Sequence, residues 1–75
     1  MNEETFKVRA YGFGELAQLY FPNITKKSAS AQLKVWIVEN KILNQKLILA
    51  GFKIGNRLLT PNQVKCIIME IGEPG

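Results

Sequence analysis

Apolar and polar residues alternate from Thr5 to Ala10, with Phe6, Val8 and Ala10 on one side and Thr5, Lys7 and Arg9 on the other. That period predicts a half-buried strand with a basic outer face. Tyr11-Gly12 breaks it. From Phe13 the spacing lengthens: Phe13, Leu16, Ala17 and Tyr20 recur at i, i+3, i+4 and i+7, the stripe of a first helix. It runs to about Phe21 and is stopped by Pro22. Gly12 serves as its cap, with Glu15 three residues on, where a carboxylate favours the positive end of the helix.

A second helix starts at Thr25, a good N-cap, and places Ser28 at its third position. Ala29, Leu33, Trp36 and Ile37 form its apolar stripe, and it ends near Asn40. Trp36 is expected to be largely buried, among Leu16, Ala17, Leu33, Ile67 and Ile68. On a wheel turning ~100° per residue, Lys27, Ser30, Ala31 and Lys34 gather on the opposite face. Val38 falls there too, with Val35 beside it, so only the first half of this helix reads as solvent-facing. A third or fourth helix is expected to cover the two valines; a symmetric dimer is the alternative.

A third helix covers roughly Ile42 to Ala50, with Leu43, Leu47 and Ala50 in line and Gly51 as its stop. Phe52-Lys53-Ile54 and Arg57-Leu58-Leu59 flank Gly55-Asn56, which signals a tight hairpin. Thr60-Pro61-Asn62-Gln63 then supplies an N-cap, a proline at the first helical position and a capping-box glutamine. Val64, Ile67, Ile68 and Ile71 make the stripe of a last helix, closed by Gly72 and Pro74. Together these elements predict a single domain over residues 1–75, its ordered core about 5–72. The fold class is mainly α: about four helices with a short N-terminal strand and a β-hairpin, in a helix-turn-helix or winged-helix-like arrangement.

Composition narrows the function. At 47% hydrophobic and 21% charged the chain is of the folding kind. No apolar run approaches the ~20 residues of a membrane span, and the acidic Met-Asn-Glu-Glu start is unlike a signal peptide, so a cytoplasmic protein is expected. The single cysteine, Cys66, has no partner for an internal disulfide, and it lies within an apolar helical pattern. With no histidine and no aspartate, the chain lacks the usual zinc ligands and a histidine base for Ser28, Ser30 or Cys66. Neither an enzyme nor a metal or cofactor protein is expected. Charge points elsewhere. All ten basic residues fall between Lys7 and Lys65, where only Glu15 and Glu39 oppose them, a net +8. A basic body with acidic ends fits a polyanion-binding surface, and equally a soluble domain with solvated lysines.

The motif that carries chemistry is the pair of helices around Asn23. A helix-turn-helix exposes the first turn of its second helix to base edges and phosphates while the other side is held in a core. Asn23-Ile24-Thr25-x-x-Ser28-Ala29 resembles the turn and second-helix start of that motif, and Glu15-Leu16-Ala17 resembles its first-helix opening. The turn departs from the pattern: Asn23 follows Ala17 by six residues, where the motif's glycine follows by four. This resemblance implies binding of duplex DNA, with Lys26, Lys27, Ser30 and Lys34 in the major groove. Lys7 and Arg9 from the strand, and Lys53 and Arg57 from the hairpin, would hold flanking phosphates. The rival reading is a small protein-interaction adaptor, in which Lys26 and Lys27 are solvated and an apolar patch docks the partner.

A wider resemblance covers nearly the whole chain. ELAQLYFP, the Ala29…Leu33…Trp36-Ile37 stripe, Leu47…Gly51-Phe52, Arg57, LTPNQV and IGEP follow one another in the order of a family of small proteins. That family, from Bacteroides and its relatives, is catalogued as a domain of unknown function. Its usual tyrosine after the glycine is Phe52 here. The resemblance implies a bacterial, cytoplasmic protein and assigns no role to any residue.

Overall fold

The structure, a computed structural model, describes residues 6–53 and 55–74. Among them are four helices and two short strands, in the order β1 (Tyr11–Gly12), α1 (Phe13–Tyr20), α2 (Lys26–Glu39), α3 (Lys41–Leu49), β2 (Leu58–Leu59) and α4 (Pro61–Ile71). The domain is mainly helical, as the periodicity predicts.

Each helix begins where a side chain satisfies a free backbone N–H. Glu15 accepts from the Gly12 N–H at 3.1 Å, Thr25 Oγ1 from Ser28 at 3.1 Å, and Asn40 Oδ1 from Leu43 at 3.0 Å. Asn40 thus ends α2 and starts α3, one residue earlier than the spacing of the apolar residues indicates. At α4, Thr60 and Gln63 exchange the two bonds of a full capping box, at 3.2 and 3.0 Å. Gln63 has a further role. Its Nε2 donates to the Ala50 carbonyl at 3.0 Å, and at 3% exposure it ties the end of α3 to the start of α4. Lys46 and Glu70 close the same helix pair with an ion pair at 2.7 Å.

α3 ends in a Schellman motif. Gly51 takes a φ of +90°, its N–H donates to Ile48, and the Phe52 N–H donates to Leu47, both at 2.9 Å. The motif turns Phe52 into the core, where its ring stacks on Phe13 with centroids 6.0 Å apart. The expected 52–59 hairpin is not seen among the described residues: Phe52-Lys53 is not a strand, and Ile54 lies outside them. Gly55, at φ +101°, sits in a turn closed by the Asn56 N–H on the Lys53 carbonyl. Leu58–Leu59 pairs instead with β1, antiparallel, with Tyr11 opposite Leu59 and Gly12 opposite Leu58. The small sheet therefore exists, but it joins segments far apart in the chain.

The N-terminal strand is likewise displaced. Thr5 lies outside the described residues, and Phe6 to Ala10 is not a strand: the pairing among the described residues takes up only Tyr11 and Gly12. Phe6 folds back to stack on Tyr11 at 5.4 Å, and the Tyr11 hydroxyl donates to the Lys7 carbonyl at 3.0 Å. The strand pairing begins at Tyr11, the residue at which the alternation stops.

One core joins all the elements. Leu16 and Ala17 of α1, Ala29, Leu33 and Ile37 of α2, Leu43 and Leu47 of α3, Leu59, and Val64 and Ile67 of α4 are fully buried within it. α1 and α2 make the most extensive contact in the molecule. The longer turn between them is held by Gln18, whose Nε2 donates to the Ile24 carbonyl at 2.8 Å.

Candidate nucleic-acid interface

α2 is locked by Ala29, Leu33 and Ile37, so the residues between them must face outward or sideways. Lys26, Ser30 and Lys34, one turn apart, come to lie along the flank of α2 beside the start of α1. There they line an open groove of about 780 Å³ whose other walls are Gly12 to Glu15 and the turn Gly55 to Arg57. Arg57 is fixed in place by its backbone, because its carbonyl accepts the Phe13 N–H at 2.7 Å. Residues more than twenty positions apart thus meet in one basic concavity.

Gly14 makes the groove narrow. A Cβ placed there would stand 2.8 Å from Cγ of Lys26 and 3.2 Å from Oγ of Ser30. α1 can approach α2 this closely only because the position has no side chain. A glycine inside a helical run was the available sequence signal for such an approach, and the apolar spacing passed over it.

Glu15 puts a negative charge in the same groove. The Gly12 N–H above all holds its carboxyl below the ordinary carboxylate value; desolvation opposes it, and Arg9 and Lys26 add smaller lowering effects. Arg9 is engaged close to home. Its guanidinium lies 3.8 Å above the Tyr11 ring, contacts Glu15 at 3.4 Å and donates to the Ala10 carbonyl at 2.7 Å. Of the eight expected contact residues, the structure gathers Lys26, Ser30, Lys34 and Arg57. Lys27 is exposed on the outer face of α2, and Lys7, Arg9 and Lys53 lie outside the groove lining. With no strand at Phe6 to Ala10 and no 52–59 hairpin, the frame expected to present Lys7, Arg9 and Lys53 is absent.

Two other expectations need correction. Trp36 is not in the core: it is 38% exposed, at the border of α2, where Phe21 and Tyr20 meet it edge-on at 4.7 and 6.0 Å. Its stripe is wider than the core, and the innermost place goes to Ile37. Val35 and Val38, expected under a neighbouring helix, stay 45% and 55% exposed because α2 turns Ala29, Leu33 and Ile37, on its other side, into the core it shares with α1 and α3. Among the described residues no group of three or more His, Cys, Asp or Glu is placed to hold a metal ion, and no helix is long and apolar enough to cross a membrane.

The chain belongs to the family described as Domain of unknown function (DUF4248), whose sequence pattern covers residues 7–74. No curated protein and no solved structure is significantly similar to it.

Proposed function

We propose that this member of the DUF4248 family binds duplex DNA, without catalysis, through the exposed N-terminal half of α2 and the groove beside it. The observation that carries the reading is the convergence of Lys26, Ser30 and Lys34 with Arg57 at the N-terminus of α1. Ammonium and guanidinium groups neutralise phosphates, a serine hydroxyl donates to them, and a helix N-terminus favours an anion. Lys27, exposed on the same helix turn and outside the groove lining, is the residue of this group left to reach a base edge. The net +8 between Lys7 and Lys65 supplies the long-range attraction such binding uses. The resemblance of Asn23 to Ala29 to a helix-turn-helix suggests the docking mode, in which α2 presents its first turn while its far side is held in the core. The protein would act as a small transcriptional or mobile-element regulator in the cytoplasm.

Phosphate contacts release counterions, so log affinity falls with log salt by ~0.9 per contact. Fluorescence anisotropy with a labelled random duplex, at low and at fourfold higher salt, measures that slope. A Lys26→Ala/Lys34→Ala/Arg57→Ala variant is expected to bind more weakly and to lose about 2 to 3 from the slope. Absence of wild-type binding at low salt, or an unchanged slope in the variant, would sink the reading. The adaptor alternative rests on a different surface, the apolar groove of Trp36, Ile42 and Ile71 with Val35 and Val38 beside it.

A further inference from the structure

The face of α2 opposite the core has an order of its own. Val35 and Val38 stand at its centre, with Lys34 on one flank and Glu39 on the other, and these four residues line a shallow concavity of about 380 Å³. In heptad terms Val35 and Val38 occupy a and d, Lys34 occupies g and Glu39 the following e. Ala31 falls on the preceding d, and the seam stops with α2 at Glu39. This is the arrangement of a parallel two-stranded coiled coil. In such a seam a hole of four residues receives each apolar knob. The charges also match in that geometry alone. When two such helices run parallel, g of one lies beside the next e of the other, which brings Lys34 to the partner's Glu39 on both flanks. In an antiparallel pair the two lysines would face each other. Among the described residues neither Lys34 nor Glu39 forms an ion pair within its own chain.

We propose that this face binds a second copy of the chain, α2 against α2 in parallel, with Val35 and Val38 of both copies in the seam and two Lys34–Glu39 pairs across it. The occupant is a second copy because the face is complementary to itself, in charge as well as in apolar character. The seam is short. A helix of this length is ~21 Å long, and it covers less than the ~800 Å² per partner of a standard interface. The dimer is therefore expected to dissociate in the upper micromolar range. The inference does not depend on DNA binding, since it is tested on the protein alone. It does bear on that reading, because Lys34 borders both surfaces and would be held by the partner in the dimer.

Sedimentation equilibrium of the full chain, from low micromolar to near-millimolar concentration, reads the outcome. The average mass is expected to rise from 8.5 kDa towards twice that value. Val35→Glu, an exposed position, is expected to keep the helical circular dichroism and the melting temperature and to stay monomeric throughout. Lys34→Glu sets like charges together and is expected to weaken association by about tenfold, while Lys34→Glu/Glu39→Lys restores it. A wild-type monomer at every concentration overturns the proposal and leaves the face to a different protein. Association unchanged by Lys34→Glu overturns the parallel arrangement.

Discussion

Single residues in this domain differ sharply in how much they carry, and Tyr20 has a measurable signature. Its hydroxyl donates to the Gly72 carbonyl, joining the end of α1 to the end of α4. Burial, and then the nearby Glu73, push its pKa up to about 12 from 10.0. The raised value means that the folded state holds the proton more tightly than the unfolded chain does. Its contribution is therefore complete below pH 10 and is lost as the pH climbs from there towards 12. Thermal melts across that range are expected to fall more steeply for wild type than for Tyr20→Phe, which should start from a lower melting temperature at neutral pH. Lys46, whose pKa is raised by its hydrogen bond to Glu70, adds a loss of the same sign, but both proteins share it. Parallel curves for the two proteins would refute the assignment to Tyr20. Glu15 works in the opposite direction: its contribution is present above the ordinary carboxylate value and is lost as the pH drops below it.

Among the elements, the two-residue sheet has an influence out of proportion to its length. It fixes the turn that carries Arg57, through the pairing of Gly12 with Leu58 and the Phe13 N–H on the Arg57 carbonyl. Within β2 the two leucines point to opposite faces, as successive strand residues must. Leu59 is fully buried and Leu58 is 70% exposed. Leu59→Ala is expected to cost about 2–5 kcal/mol by leaving a cavity, whereas Leu58→Ala should stay within about 0.5 kcal/mol. Chemical denaturation of the two variants checks this, and equal losses would show that the register is wrong. The helices were legible in the sequence because their caps are local. Thr25, Asn40, Thr60 and Gln63 act within four residues of themselves, so a short stretch contains both the cause and the effect. Strand pairing is not local. The alternation of Phe6, Val8 and Ala10 looked like a strand, yet nothing in that segment says whether a partner will be beside it.

As a whole the molecule has one core with contributions from every helix, so its parts should not unfold separately. A domain of this size is stable by roughly 4–11 kcal/mol. Leu33→Ala, at the fully buried centre of α2, is expected to remove about 2–5 kcal/mol of that. Denaturation followed by helix content and by Trp36 fluorescence should then show one coincident transition at a lower midpoint. Two separated transitions would mean that α1 and α2 hold together without α3 and α4. The sides of α2 differ in surroundings at this scale. One side is buried in the core, one flank lines the basic groove, and the outer face leaves Val35 and Val38 exposed.

The sequence by itself determined the helical class, three of the four helix caps and the closing glycine of α3, since propensity and capping depend on near neighbours. It also identified the family to which the chain belongs. Which lysines share a surface was decided by the tertiary structure, because Arg57 reaches the α2 groove only through a strand pair that spans most of the chain. The positions of Trp36, Val35 and Val38 were decided there as well. An apolar residue's place on a helical wheel says which way it points, but what lies in that direction depends on where the other helices pack.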